Sequence, residues 1–404
     1  MPSIRRRAVL GLVTAGTLAG CTDRFSLGDD ENTSPADRRV SPSEPGVGDW
    51  FRPTRSCNND LVSPTATPPR DDPEERWRTT DPGHVTSITA ADGIVFAGGH
   101  ERCAAFRLDD GELLWSGDDG GRPLAVVDGR CYTVASNSLV AREVETGEAV
   151  WRYDSADRLR VTDLVELEGT VYCPVDGDLY GFHADTGDHR WTLEDDGYHG
   201  YLAVTEDELH WVTPETYRVL VPNGPERPDE RAAVTLEHDA YAAPSYPAVV
   251  DRTIGLGGWS MDGPDDVASI STLTTRGTIW KRPFERATLT PAILEDHLLV
   301  VGYDNGALDE ASVAAFEVDT GDLVWERTLP QPVGPPAVAD GVCYVGGGQT
   351  GDSDPDPGGA FALEVETGDL RWERETPGSI GGHALALVED VVVLGTNGGV
   401  VVLE

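Results

Sequence analysis

The sequence predicts an all-β fold: an eight-bladed β-propeller of four-stranded antiparallel blades, its ring closed by joining the N- and C-terminal strands. Three observations predict it. The pattern D/E-T-G-x-x-x-W recurs along the chain. Two-residue turns of the Asp-Gly type recur between apolar runs at a period of roughly 40 residues, the range of repeat architectures. The first tryptophan strand lacks its three partner strands locally, while the C-terminal end supplies three strands and stops before a fourth.

In chain order, residues 1–20 read as an export signal. Arg5, Arg6 and Arg7 precede an apolar stretch from Ala8 to Leu18, too short to span a bilayer, which takes about 20 residues. The paired arginines match a twin-arginine signal. Leu18-Ala19-Gly20-Cys21 then matches a lipobox, which predicts lipid attachment at Cys21 and a mature chain held on the outer face of the cell membrane. Residues 21–70 read as a largely disordered acidic tether, because Thr22 to Gly48 holds no sustained apolar period and cannot bury enough surface to fold.

Residues 71–404 form the propeller. Trp77, in Glu75-Arg76-Trp77-Arg78-Thr79, is the final strand of a blade whose other strands come from Leu385 to Leu403. Joining them removes the exposed sheet edges that invite aggregation. The repeat is cleanest from Leu124 to Trp151: an apolar run, Asp128-Gly129, a second strand from Cys131, a third from Ser138 to Val144, Glu145-Thr146-Gly147, and a fourth holding Trp151. First-to-second-strand turns at Asp92-Gly93, Asp128-Gly129, Glu168-Gly169, Glu206-Asp207, Asp251-Arg252, Glu295-Asp296, Asp340-Gly341 and Glu389-Asp390 number eight. Trp77, Trp115, Trp151, Trp191, Trp280, Trp325 and Trp372 agree, since the gap between Trp191 and Trp280 spans two repeats with one indole lost near Ala232 to Leu236.

The charge of -40, from 71 acidic and 31 basic residues, excludes nucleic acid and anionic membrane surfaces as partners by repulsion. Lys281 is the only lysine. The combination resembles proteins of salt-loving archaea; at molar salt the Debye length is about 3 Å, so such a surface repels itself little.

The repeated D/E-T-G-x-x-x-W motif, covering nearly everything after Glu74, resembles the tryptophan-docking motif of pyrroloquinoline-quinone-like propellers. There the indoles pack between neighbouring blades, which implies a structural role for the seven tryptophans. The architecture is similar to the lipoprotein of the bacterial outer-membrane β-barrel assembly machinery, a non-enzymatic interaction module. The resemblance also admits an alternative, a quinoprotein dehydrogenase using pyrroloquinoline quinone and calcium. Those enzymes use a vicinal cysteine pair, and Cys57, Cys103, Cys131, Cys173 and Cys343 are all separate. No catalytic motif accompanies the histidines. The expectation is therefore a binding or scaffolding module without catalytic residues, cofactor or resident metal, whose partner is another exported or membrane protein.

The face carrying the loops between second and third strands varies most, and loops on rigid scaffolds commonly carry recognition. It lengthens at Trp259 through Asp266, Tyr303 through Glu310 and Gln349 through Gly359, giving Trp259, Asp262, Tyr303, Asp304, Asp352, Asp354 and Asp356 as binding-face residues. The last three aspartates alternate as in a calcium loop, but Gly358 falls one position late and Leu363 occupies the bidentate acid's place. Tyr198, Tyr201, Tyr241 and Tyr246 are expected on the same face from the inter-blade links.

Overall fold

The computed structural model describes Asp49, Trp50, Arg52, Asn59 and residues 61–404, with breaks at 100–101, 118–120, 136, 156–158, 196–198, 206–207, 237–242, 245, 251–252, 260–268, 285–286, 289, 295, 304–309, 332 and 349–356. Among the described residues every regular element is a strand.

The second unit shows why. Arg122–Val127, Arg130–Ala135, Ser138–Glu143 and Ala149–Asp154 pair in chain order as an antiparallel meander. Asp128 and Gly129 both take positive φ, 48° and 72°, the geometry of a two-residue type I′ hairpin whose twist matches the strands it joins. The same meander recurs in the third unit from Val165 to Leu193, the fourth from Tyr201 to Thr235 and the fifth from Ala248 to Pro283. The first unit, Ser87 to Gly117, follows the same order, as do the sixth, Ala292 to Leu329, and the seventh, Ala337 to Thr376. The last unit, Ile380 to Leu403, takes its fourth strand from the beginning of the chain: Glu75–Thr79 pairs antiparallel with Gly399–Leu403, placing Trp77 opposite Val402. Backbone bonds between Glu74 and Glu404 extend this pairing by one residue at 2.8 and 2.9 Å. A parallel contact of Ser87 with His383 ties the last unit to the first.

Burial follows position in the unit. Val342–Gly347 and Val391–Thr396 are buried at every residue, whereas Leu323–Leu329 exposes most of its length. Second strands are covered on both faces by neighbouring units, so their sequences are continuous apolar runs; fourth strands carry charge outward.

The tryptophans sit between units. Trp115 Nε1 donates to Val144 O at 2.7 Å, and Trp77, Trp151, Trp280 and Trp325 donate in the same way to Leu108, Ala184, Val318 and Val365, each near the third-to-fourth-strand turn of the following unit. A glycine is needed in that turn for space as well as conformation: a Cβ on Gly147, at φ 70°, would lie 2.5 Å from the Trp115 ring. Trp372 has no such hairpin beside it in the last unit, and its Nε1 donates instead to Pro69 O at 3.0 Å. The buried Trp191 Nε1 has no acceptor. The fourth unit, next along, lacks the D/E-T-G turn and has Pro222-Asn223-Gly224 there.

Candidate functional site

The stretch expected to be a tether up to residue 70 is, where it is described, packed into the molecule. Asp49 Oδ1 accepts from the backbone N of Asp92, at the first-to-second-strand turn of the first unit. Trp50, wholly buried, exchanges two backbone bonds with Ala90 at 2.7 and 2.6 Å. Arg52, 1% exposed, forms an ion pair with Asp163, 2% exposed, just ahead of the first strand of the third unit. Asn59 Nδ2 donates to Leu202 O at 2.6 Å in the first strand of the fourth. Val62–Ser63 then runs parallel to Ala337–Ala339, the first strand of the seventh. The described residues of the N-terminal segment therefore contact the first strands, or the residues just ahead of them, of the first, third, fourth and seventh units.

The segment leaves where it entered. Thr67 N donates to Glu389 O at 2.6 Å, and Arg70 donates to the backbone and carboxylate oxygens of Asp340. Both acceptors lie at first-to-second-strand turns, the face on which Asp49 contacts Asp92. Tyr344 and Trp372 hold Pro69, and Glu75–Thr79 follows as the fourth strand of the last unit. Hydrophobic residues Trp50, Leu61 and Ala66 anchor this path, joining the same core cluster as Val338 and Val392.

Asp163 is the electrostatic centre of the path. One oxygen accepts from Arg52 and from Leu164 N at 2.8 Å; the other accepts from Leu202 N at 2.8 Å. Arg52 also donates to Leu202 O at 3.4 Å. The three donors on the Asp163 carboxylate offset part of the cost of burying the pair. No sequence signal marks Arg52 or Asp163, since an arginine after an aromatic and an aspartate before a strand are unremarkable alone.

The expected binding-face residues fare differently. Cys21, Asp262, Asp304, Asp352, Asp354 and Asp356 lie outside the described residues. Trp259 and Tyr303 do not stand in free loops: Gly258–Trp259 pairs with Ala243–Pro244, Trp259 faces Ala287, and Ala287 faces Tyr303. The loop backbone thereby finds partners in the neighbouring unit, as buried or half-buried amides must. Tyr198 and Tyr241 are outside the described residues. Tyr201 and Tyr246 turn inward, their rings 4.4 Å apart, with Tyr246 buried. Among the described residues no group of three or more His, Cys, Asp or Glu is placed to hold a metal, and no helix is long and apolar enough to cross a membrane.

No curated protein matches the sequence. Among solved structures, BamB from Moraxella catarrhalis is similar at a TM-score of 0.61 and 14% identity, over 82% of this chain and 99% of that one. The computationally designed Ika8 protein is similar at 0.61 and 15%, over 85% and 98%. A europium-containing methanol dehydrogenase is similar at 0.64 and 12%, over 88% and 89%. At these identities the likeness concerns the fold alone, shared by a BamB protein and a dehydrogenase. The family model described as "Outer membrane protein assembly factor BamB" matches residues 100–216 and 265–404, well over half of the sequence, and the chain belongs to that family.

Proposed function

We propose that the chain is a non-enzymatic binding or scaffolding module: an eight-bladed ring sealed by Glu75–Thr79, exported, and held through a lipid on Cys21 at the outer face of a membrane. Its partner on this reading is another exported or membrane protein. The observation that carries the proposal is the occupation of the interior by the chain's own Trp50, Arg52 and Asn59. A quinone with its calcium would need an uncommitted carboxylate and an open slot on that axis. Asp163 spends both oxygens on Arg52 and two backbone amides, and the described cysteines are buried in four separate strands, so the residues present do not fit that cofactor.

The family's assembly role is a second support for a protein partner, without naming which protein. By antiparallel topology the strand ends that the second-to-third-strand loops join lie opposite the face on which Asp49 contacts Asp92. Two experiments test the reading. Cys21→Ser should move the protein out of the detergent phase. Shortening 349–356, which spares the strand Gly358–Glu364, should abolish co-purification of one defined partner from native membranes at high salt while the melting profile stays intact. Reconstitution with pyrroloquinoline quinone and calcium that yields alcohol-dependent dye reduction would overturn it.

A further inference from the structure

Arg122 opens the first strand of the second unit and is half-buried. Its Nη2 donates to Val161 O at 2.5 Å. Among the described residues no carboxylate pairs with it, although acidic residues outnumber basic ones more than two to one in the chain. The next carbonyl along, Thr162 O, accepts from the Tyr246 hydroxyl at 2.7 Å. The guanidinium and the tyrosine thus grip adjacent peptide groups of the stretch that leads into the third unit's first strand.

Tyr246 sits at the centre of an aromatic group drawn from three units. Its ring is 4.4 Å from that of Tyr201 and 4.9 Å from that of His383. His383 is fixed by the pairing of its backbone with Ser87. Its Nδ1 is buried without a hydrogen-bond partner, an arrangement that costs free energy unless something else supplies one. Burial first, and the nearby positive charge of Arg122 second, hold the His383 pKa down at about 4. The ring is therefore neutral at pH 7 and offers one N–H. Arg122, Tyr201 and His383 are each half-buried, so part of the group's surface is open to solvent.

Asp163, the carboxylate on the path of the N-terminal segment, has its charge matched by Arg52. Among the described residues this leaves the guanidinium fork of Arg122, the ring walls and a histidine Nδ1 lacking a hydrogen-bond partner. Guanidinium binds planar carboxylates through two parallel N–H bonds, and the loss of water from a half-buried site strengthens that contact.

We propose that Arg122, Tyr201, Tyr246 and His383 form a carboxylate-binding site at the axial end of the first strands. The carboxylate comes either from a small free acid or from the C-terminus of a peptide. The site contributes donors and aromatic walls but no uncommitted acid, so it takes an anion and not a metal. It stands apart from the scaffolding proposal: loss of partner capture leaves it untouched, and absence of carboxylate binding leaves that proposal intact.

The test uses the full chain in molar KCl, titrated with citrate, with the tripeptide Ala-Ala-Phe and with its C-terminal amide, and followed by calorimetry. Binding of citrate or of the free-acid peptide, with no binding of the amide, is expected; which of the two binds identifies the source. Arg122→Gln should weaken that binding at least tenfold, and Tyr201→Phe less. Should Arg122→Gln fold poorly by its melting curve, Arg122→Lys replaces it, keeping the charge but losing the fork, with an expected loss of several-fold. Failure of both acids to bind the unaltered protein overturns the proposal, as does binding that the arginine variants leave unchanged.

Discussion

Replacing Asp163 by asparagine should destabilise the molecule out of proportion to the size of the change. The carboxylate accepts from Arg52, Leu164 N and Leu202 N in a place where both charged side chains are nearly inaccessible. An asparagine offers one oxygen for three donors and leaves the guanidinium buried without its counter-charge, a loss of about 3–5 kcal/mol. Unfolding entropy near 2.1 cal/mol/K per residue gives about 0.7 kcal/mol per kelvin for a folded body of roughly 340 residues, so the melting temperature should fall by about 4–7 °C. Screening reaches exposed charges and hardly touches buried ones. The drop should therefore be the same in 0.5 M and 3 M KCl when followed by calorimetry. Asp322→Asn is the control, since its pairing with Arg282 leaves the two side chains 74% and 44% exposed; it should shift the melt by less than 1 °C. The double variant Arg52→Met, Asp163→Leu should cost less than the sum of its single changes, because neither charge is then stranded. An Asp163→Asn melt within 1 °C of the unaltered protein, or a drop that disappears in high salt, would refute the buried-pair argument.

Three further outcomes follow from the geometry. Gly147→Ala should cost on the order of 2 kcal/mol in denaturant melts, combining a left-handed residue with a Cβ 2.5 Å from the Trp115 ring, whereas Gly129→Ala, with open space around it, should cost only the conformational part. His210 is buried against Thr205 and Tyr217, with its pKa depressed by burial to about 4 from 6.5; its neutral form supports folding fully above pH 6.5 and that support is lost as pH falls toward 4, by up to about 3 kcal/mol. Comparing melts of the unaltered protein and His210→Gln at pH 7, 5.5 and 4 should show the difference between them changing across that window, and parallel curves would contradict it. Removing residues through Arg78 should lower the melting temperature strongly because it takes both the interior segment and Glu75–Thr79, whereas removing only 22–48 should leave the melt unchanged; equal melts for the two would contradict the pairing seen with Gly399–Leu403.

The strands were legible because each repeat states its turns in residues that tolerate only one geometry. Asp128-Gly129 and Glu145-Thr146-Gly147 bracket strands that the structure places at Arg130–Ala135, Ser138–Glu143 and Ala149–Asp154. The pairing of Trp77's strand with the chain's end was legible from what each end lacked. Harder to read was the segment from Asp49 to Pro73. Its buried residues, Trp50, Arg52, Asn59 and Leu61, have no period, because apart from the two-residue strand Val62–Ser63 its described contacts are single ones, made to a different unit each time. Composition rich in proline and polar residues described it only as unable to fold alone, which is compatible with packing against units formed by the rest of the chain. The inward turn of Tyr201 and Tyr246 escaped for a related reason: residues at the start of a first strand or just ahead of it can point to the rim or the axis, and only neighbouring units decide which.

The route of the N-terminal segment also sets how the molecule would bear tension. A pull on the residues ahead of Asp49 meets its contact with Asp92 first, then the two bonds between Trp50 and Ala90, then the ion pair of Arg52 with Asp163. Only after these, and after Asn59 and the pairing of Val62–Ser63 with Ala337–Ala339, does the load arrive at Glu75–Thr79. The joint between the two chain ends, Glu75–Thr79 against Gly399–Leu403, is the final element on the line of force. An anchored molecule would thus strain like a rope cleated inside a drum, its hoop shielded until the cleat has given way.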